Sequence, residues 1–325
     1  MMRGWKKTLA FLLAFVLVFG SLTGFKSNTK TSTIPVTVEG TIFGGAGQPI
    51  KTELTYGPDL LIHSNNKKYD KTIAGLSALL CADSYFRDKD LANGKQNRVL
   101  VDGEDASQYT HTTLLKKLGF TEVEYIETYK EKKYSYDTND SSTFLLAHEN
   151  VDNKYDIFVC VARGCFSSSD WLSCFDLGAD TSAYETLTGK HPEWTEKNQQ
   201  KGLSIAAERT NEFLENFMKK YGNPARKSIV LLTGHSKGGV IANILGAKME
   251  ENKKVKSFTY AFNTPKFDNK PGKKAYKTIY NVVDDGDLFS DHFPFQKERF
   301  YGLFFGPMSI DLSIFLRRVV IHILC

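Results

Sequence analysis

The chain has 325 residues, 41% of them hydrophobic and 13% aromatic, enough apolar material for one sizeable core. A formal net charge of +5, spread over Lys-containing segments and nearly balanced by acids, builds no basic stripe and excludes a dedicated nucleic-acid binder. The five cysteines, Cys81, Cys160, Cys165, Cys174 and Cys325, are too few and odd in number for a disulfide scaffold, and no His/Cys spacing resembles a zinc site.

In chain order, Met1 to Lys7 is basic and Leu9 to Phe19 is almost wholly apolar, which reads as a secretory signal peptide over residues 1–25. No clean Ala-x-Ala site follows and the apolar run extends to Leu22, so an uncleaved membrane anchor is the alternative. Either way the remainder is expected outside the cytoplasm, secreted or at the extracellular surface. Residues 26–66, rich in Thr, Gly and Pro with short alternations such as Pro35 to Gly40, read as an extended lead-in, and 67–325 as one domain. Within it Ile73, Leu76 and Leu80 recur at helical spacing, and a second helix is expected from Ser107 to Leu118, closed by Gly119. Strands are expected at Val123 to Tyr129, Thr143 to His148 and Tyr155 to Ala162, the last a continuous apolar run of the buried kind. Cys81 and Cys160 fall in these apolar patterns and read as buried thiols, whereas Cys165 and Cys174 could bridge a loop.

Further on, Ala206, Thr210, Phe213, Leu214 and Phe217 mark one face of a helix that stops near Gly222. The run Ser228 to Thr233 then enters Gly234-His235-Ser236-Lys237-Gly238, and Val240, Ile241, Ile244, Leu245 and Met249 recur at helical spacing behind it. Strand, sharp turn and helix with a serine at the apex form a nucleophile elbow of the kind found in α/β-hydrolases. Two more strands follow, Val255 to Phe262 and Thr278 to Val283, with a further one at Arg299 to Phe305. Alternating strands and helices predict an α/β fold with a mostly parallel, helix-covered sheet and ligands at the carboxyl ends of its strands.

A serine hydroxyl needs a histidine to accept its proton and an acid to orient that histidine. Val283 runs into Asp284-Asp285-Gly286-Asp287, where the acid of such a fold belongs. Asp287 is the preferred candidate, with Asp284 next. Only His292 and His322 follow it; His322 has the better chain position, although Arg317 to Cys325 resembles a strand or amphipathic tail more than a loop. A third reading is that the base is missing, as a truncated or frame-shifted C-terminus would explain. His235 leaves the turn in another direction and reads as a packing residue below the elbow. An oxyanion hole requires two main-chain N–H groups, one from Lys237 and one from the loop starting at Arg163-Gly164-Cys165.

Val161-Ala162-Arg163-Gly164-Cys165, the Asp170-Trp171 and Asp176-Leu177 stretch, the elbow, Tyr260-Ala261-Phe262-Asn263-Thr264-Pro265 and Asn281 to Asp287 together resemble the lipase class 3 family and its bacterial relatives. The resemblance spans about residues 70 to 300. It implies an α/β-hydrolase fold, hydrolysis of acylglycerols or related acyl esters, and a Ser-Asp-His triad without cofactor or metal. It would put the nucleophile at Ser236, the acid at Asp287 and an oxyanion donor at Cys165. Three departures stand out: Cys165 where the family has Thr or Ser, Lys237 where it often has Leu, and no recognisable histidine-bearing C-terminal segment. Lys237 is expected to add a charge beside the ester site and favour anionic or less apolar substrates. Aromatic residues between Ser173 and Gln200 could form a lid over the acyl site, or merely pack the connection. The expected partners are a lipid or acyl-ester substrate and peripheral membrane contact through the apolar tail. The rival reading is a catalytically impaired surface protein of the same fold that binds lipid or a partner.

Overall fold

A computed structural model describes residues 31–39, 49–86, 97–128, 142–165, 201–265, 267 and 276–283, with the backbone strand at 303–305. Alternation in Ser32–Glu39 (β1) and Ile50–Tyr56 (β2) turns Val36, Val38, Leu54 and Tyr56 inward and pairs the two strands antiparallel. Arg98–Val101 (β3) pairs with the other edge of β1, completing a small sheet of order β2-β1-β3. The segment expected as an extended lead-in thus carries two paired strands and helix α1, Pro58–His63.

Helix α2, Lys71–Asp83, begins where the Asp70 carboxylate accepts from the N–H groups of Thr72 and Ile73. The helix expected over 107–118 is shorter. Asp105 caps a single 3₁₀ turn at Ala106–Gln108, Tyr109 is extended, and α3 spans only Thr113–Lys117. The reason is tertiary: the buried Tyr109 hydroxyl donates to Asp83 and to the Val99 carbonyl, which pulls the chain out of helical geometry. Gly119, at φ 103, ends the helix as the sequence anticipates.

The main sheet contains β4 (Glu122–Glu127), β5 (Thr143–Val151), β6 (Tyr155–Ala162), β7 (Lys227–His235), β8 (Val255–Phe262), β9 (Ile279–Val282) and β10 (Leu303–Phe305). Their order is β10-β9-β8-β7-β6-β5-β4, with β6 to β10 parallel and β4 and β5 antiparallel. The antiparallel turn is local chemistry: Asp152 and Asn153 both hold positive φ (52 and 54) while Lys154 N–H donates to Val151 O at 2.9 Å, a tight hairpin that parallel strands cannot use. Helices α4 (Lys201–Tyr221) and α5 (Lys237–Glu251) connect β6 to β7 and β7 to β8.

Both faces of this sheet are apolar, which explains the uninterrupted hydrophobic runs. Ile157, Val159, Val161, Ile229 and Leu231 pack toward α2 and the small sheet. Phe158, Cys160, Ala162, Val230 and Leu232 pack toward α4 and α5. Cys81 and Cys160 are free buried thiols, as anticipated. Among the described residues, no helix is long and apolar enough to cross a membrane.

Candidate active site

The parallel register brings Ala162, Gly234, Ala261 and Asn281 to one level, so β6 to β9 end along a single edge. Four segments leave that edge: Arg163-Gly164-Cys165, Ser236, Asn263 and Val283. From Ile229 to Ala247 every residue is buried except Ser236, which is half-exposed. The chain therefore emerges from the core for one residue, and that residue carries a hydroxyl.

Ser236 is the N-cap of α5 with φ 54 and ψ −122, outside the regions that L-residues prefer. The strain is held by main-chain bonds on both sides: Ser236 N–H donates to Phe262 O at 2.9 Å, and Val240 N–H to Ser236 O at 3.2 Å. The flanking glycines are required by contact. A Cβ on Gly234 would overlap the Gly238 carbonyl, and one on Gly238 would overlap the Ala162 carbonyl and stand 2.9 Å from Arg163 C. The elbow is thus pressed against both its own helix and the end of β6.

Lys237 opens α5, which puts its main-chain N–H at the positive end of the helix dipole, facing the same edge. Its side chain, expected to add a charge beside the ester site, is only 2% exposed. Cys165 ends the described part of the β6 loop and is 8% exposed. Its sulfur is in a disulfide, and since Cys81 and Cys160 are free thiols its partner lies outside the described residues. The side chain therefore has no S–H to donate, and what Cys165 can offer an anion is its main-chain N–H.

His235 sits below the elbow, as its position in the turn suggested, but it is held by more than packing. Its Nδ1 lies 2.7 Å from the hydroxyl of Tyr85, a residue the sequence reading did not single out. Burial lowers its pKa to about 4, so the ring is neutral at neutral pH. The other described histidines are engaged elsewhere. His148 bonds Asp156 at 2.9 Å, His111 lies flat on Tyr125 with centroids 3.7 Å apart, and His63 is exposed beside Asp59. Asp284, Asp287, His292, His322 and the expected lid over Ser173 to Gln200 lie outside the described residues.

Two further features frame the site. Asn263, one residue past β8, holds φ 43, and its N–H donates to Val282 O at 2.9 Å. Asn243 on α5 and Asn281 on β9 exchange amide hydrogen bonds of 2.8 and 3.2 Å, both fully buried, so the strand that leads to Val283 is pinned to the helix behind Ser236. Among the described residues no three His, Cys, Asp or Glu side chains are grouped to hold a metal ion.

Residues 159–297 match the family model described as lipase (class 3). Among solved structures the chain is similar to the native propeptide complex of the Rhizomucor miehei lipase, at 14% identity over 78% of each chain with a TM-score of 0.42. It is also similar to a Yarrowia lipolytica lipase, at 16% identity over 71% of this chain and 76% of that one with a TM-score of 0.37. A third match is a triacylglycerol lipase whose catalytic centre is a serine protease triad, at 18% identity over 70% of this chain and 76% of that one with a TM-score of 0.41. No curated protein matches the sequence.

Proposed function

From a chain whose residues 159–297 match the lipase (class 3) family model, we propose a secreted serine ester hydrolase that cleaves acylglycerol-type or related acyl esters. The observation that carries this reading is the strained, half-exposed Ser236, the single break in a buried run, set at the edge where the parallel strands end. In this reading Ser236 Oγ attacks the acyl carbonyl while a histidine accepts its proton. The N–H groups of Lys237 and Cys165 receive the developing oxyanion, the histidine returns the proton to the leaving alcohol, and water then releases the acyl group.

The base is His322, with His292 as the alternative, and Asp287 orients it; chain order supports these choices, and the described histidines are all held away from this role. Secretion is supported by the basic then apolar N-terminus, and lipid contact by the family match. The buried Lys237 side chain gives no support to a preference for anionic substrates.

The test is labelling of the mature chain by a fluorophosphonate, alongside hydrolysis of short and long p-nitrophenyl esters. Label and turnover are expected to disappear in Ser236→Ala and in one of His322→Ala or His292→Ala, which identifies the base. A folded parent chain that takes no label overturns the hydrolase and leaves a binding protein of the same fold.

A further inference from the structure

Tyr85 lies two residues past the end of α2, is 2% exposed, and belongs to neither the elbow nor the β6 loop. Its ring meets His235 edge-on, with centroids 5.9 Å apart and planes at 64°, and its hydroxyl bonds Nδ1 at 2.7 Å. The same hydroxyl supports Gly164. A Cβ at that position would overlap Tyr85 Oη, stand 2.5 Å from the His235 carbonyl oxygen and 3.3 Å from His235 Nδ1. One buried phenol therefore touches the residue before the nucleophile and the residue before Cys165.

This contact matters because the two oxyanion donors come from separate segments, and a donor works only when it stands about 2.7–3.1 Å from the charge it stabilises. Lys237 N–H moves with the elbow, and Cys165 N–H moves with the loop after β6. Their spacing is fixed by whatever wedges the two segments together. At neutral pH the imidazole of His235 is uncharged and has one donor and one acceptor nitrogen, so the bond to Tyr85 fixes the ring in either tautomer. The absence of a side chain at Gly164 lets the loop sit directly on that pair.

We propose that Tyr85 is a positioning residue that, through its bond to His235 and its contact with Gly164, sets the distance between the Cys165 and Lys237 oxyanion donors. The inference rests on the hydrolase reading above, because it concerns the geometry of that reaction.

Tyr85→Phe tests it, since the ring remains and only the hydroxyl is lost. An oxyanion donor engages the transition state more than bound substrate, so kcat for a p-nitrophenyl ester is expected to fall roughly tenfold or more with KM within about twofold of the parent. Fluorophosphonate labelling of Ser236 should slow by a similar factor. Tyr56→Phe is the control: it also removes a buried phenol bond, to Glu149, and its ring packs on Phe120 rather than on Tyr85, His235 or Gly164, so it should lower Tm and leave kcat alone. Should Tyr85→Phe fold poorly, His235→Asn, which keeps an acceptor near the Nδ1 position, is expected to retain more kcat than His235→Leu. A kcat in Tyr85→Phe equal to the parent's, or a loss of kcat in Tyr56→Phe equal to that in Tyr85→Phe, overturns the positioning role. Absence of Ser236-dependent turnover in the parent instead overturns the hydrolase reading itself.

Discussion

At the scale of single residues, Ser236 trades stability for presentation of its hydroxyl. With φ 54 and ψ −122 its Cβ is carried into a region that glycine enters freely and other residues enter at a cost of about 1–3 kcal/mol. Ser236→Gly and Ser236→Ala both remove the nucleophile, but only glycine relieves the strain. The glycine variant is expected to be more stable than the alanine variant by about 1 kcal/mol in urea unfolding. An alanine variant more stable than the glycine variant by about 0.4–1 kcal/mol, the usual difference where the backbone suits both, would mean that the elbow is not strained. The elbow was legible from sequence because its requirements are local: glycines where carbonyls come within contact of Cα, an apolar strand before, a helical apolar face behind. Tyr85 was not, because its partner is 150 residues away and nothing in the neighbouring sequence marks a buried phenol as a support rather than core. Whether the Lys237 side chain points out or in is set by neighbours that the pentapeptide does not contain, and here it is buried.

At the scale of elements, catalytic geometry depends on how α5 and β9 are fixed to each other, because α5 carries Ser236 at its start and β9 delivers the chain to Val283. Asn243 and Asn281 supply that fixation through two reciprocal amide bonds in an otherwise apolar layer. Removing one member leaves a buried amide short of a partner, which costs about 1–3 kcal/mol, whereas replacing both by similar apolar groups can be close to neutral. Asn243→Leu is therefore expected to destabilise by about that amount, and Asn243→Leu with Asn281→Leu to recover part of it. A double-mutant cycle in urea with no coupling between the two positions would dismiss the clamp. The helices α2, α4 and α5 were readable in the sequence because their apolar residues recur at helical spacing, and β6 and β7 because they hold continuous apolar runs buried on both faces. The failures were short and non-local. Arg98–Val101 begins with a charge and has four residues, and it is a strand only because Val36 to Glu39 offers it an edge from 60 residues upstream. Likewise Ser107 to Thr112 was expected to be helical, but its Ser, Thr, Tyr and His are weak helix formers, and Tyr109 reaches Asp83 instead.

At the scale of the molecule, two buried ionisable groups beside the elbow's supporting helix make folding depend on pH in opposite directions. Burial raises Asp83 from 3.8 to about 7, outweighing the Tyr109 hydroxyl and Val99 N–H that favour its charged form. Folded protein therefore holds a proton that unfolded chain releases between pH 3.8 and about 7, and stability from this group is lost as pH rises through that window. His235 behaves conversely: its pKa falls from 6.5 to about 4 on burial, so the unfolded chain binds a proton first and stability is lost as pH falls through the same range. The two slopes oppose each other between about 4 and 6.5, and only the Asp83 slope remains just below 7. Glu149, also raised by burial, adds to the Asp83 direction, but its contribution is common to parent and variant and drops out of their difference. Asp83→Asn keeps an oxygen acceptor for Tyr109 and Val99 without the titration. Its stability relative to the parent is expected to rise with pH by up to about 1.4 kcal/mol per unit and to level off above about 7. Urea unfolding of both chains from pH 5 to 8 measures this difference. A gap that stays constant from pH 5 to 8 would put the folded-state titration of Asp83 below that range and leave the pH dependence of this region to His235 and the other titrating groups.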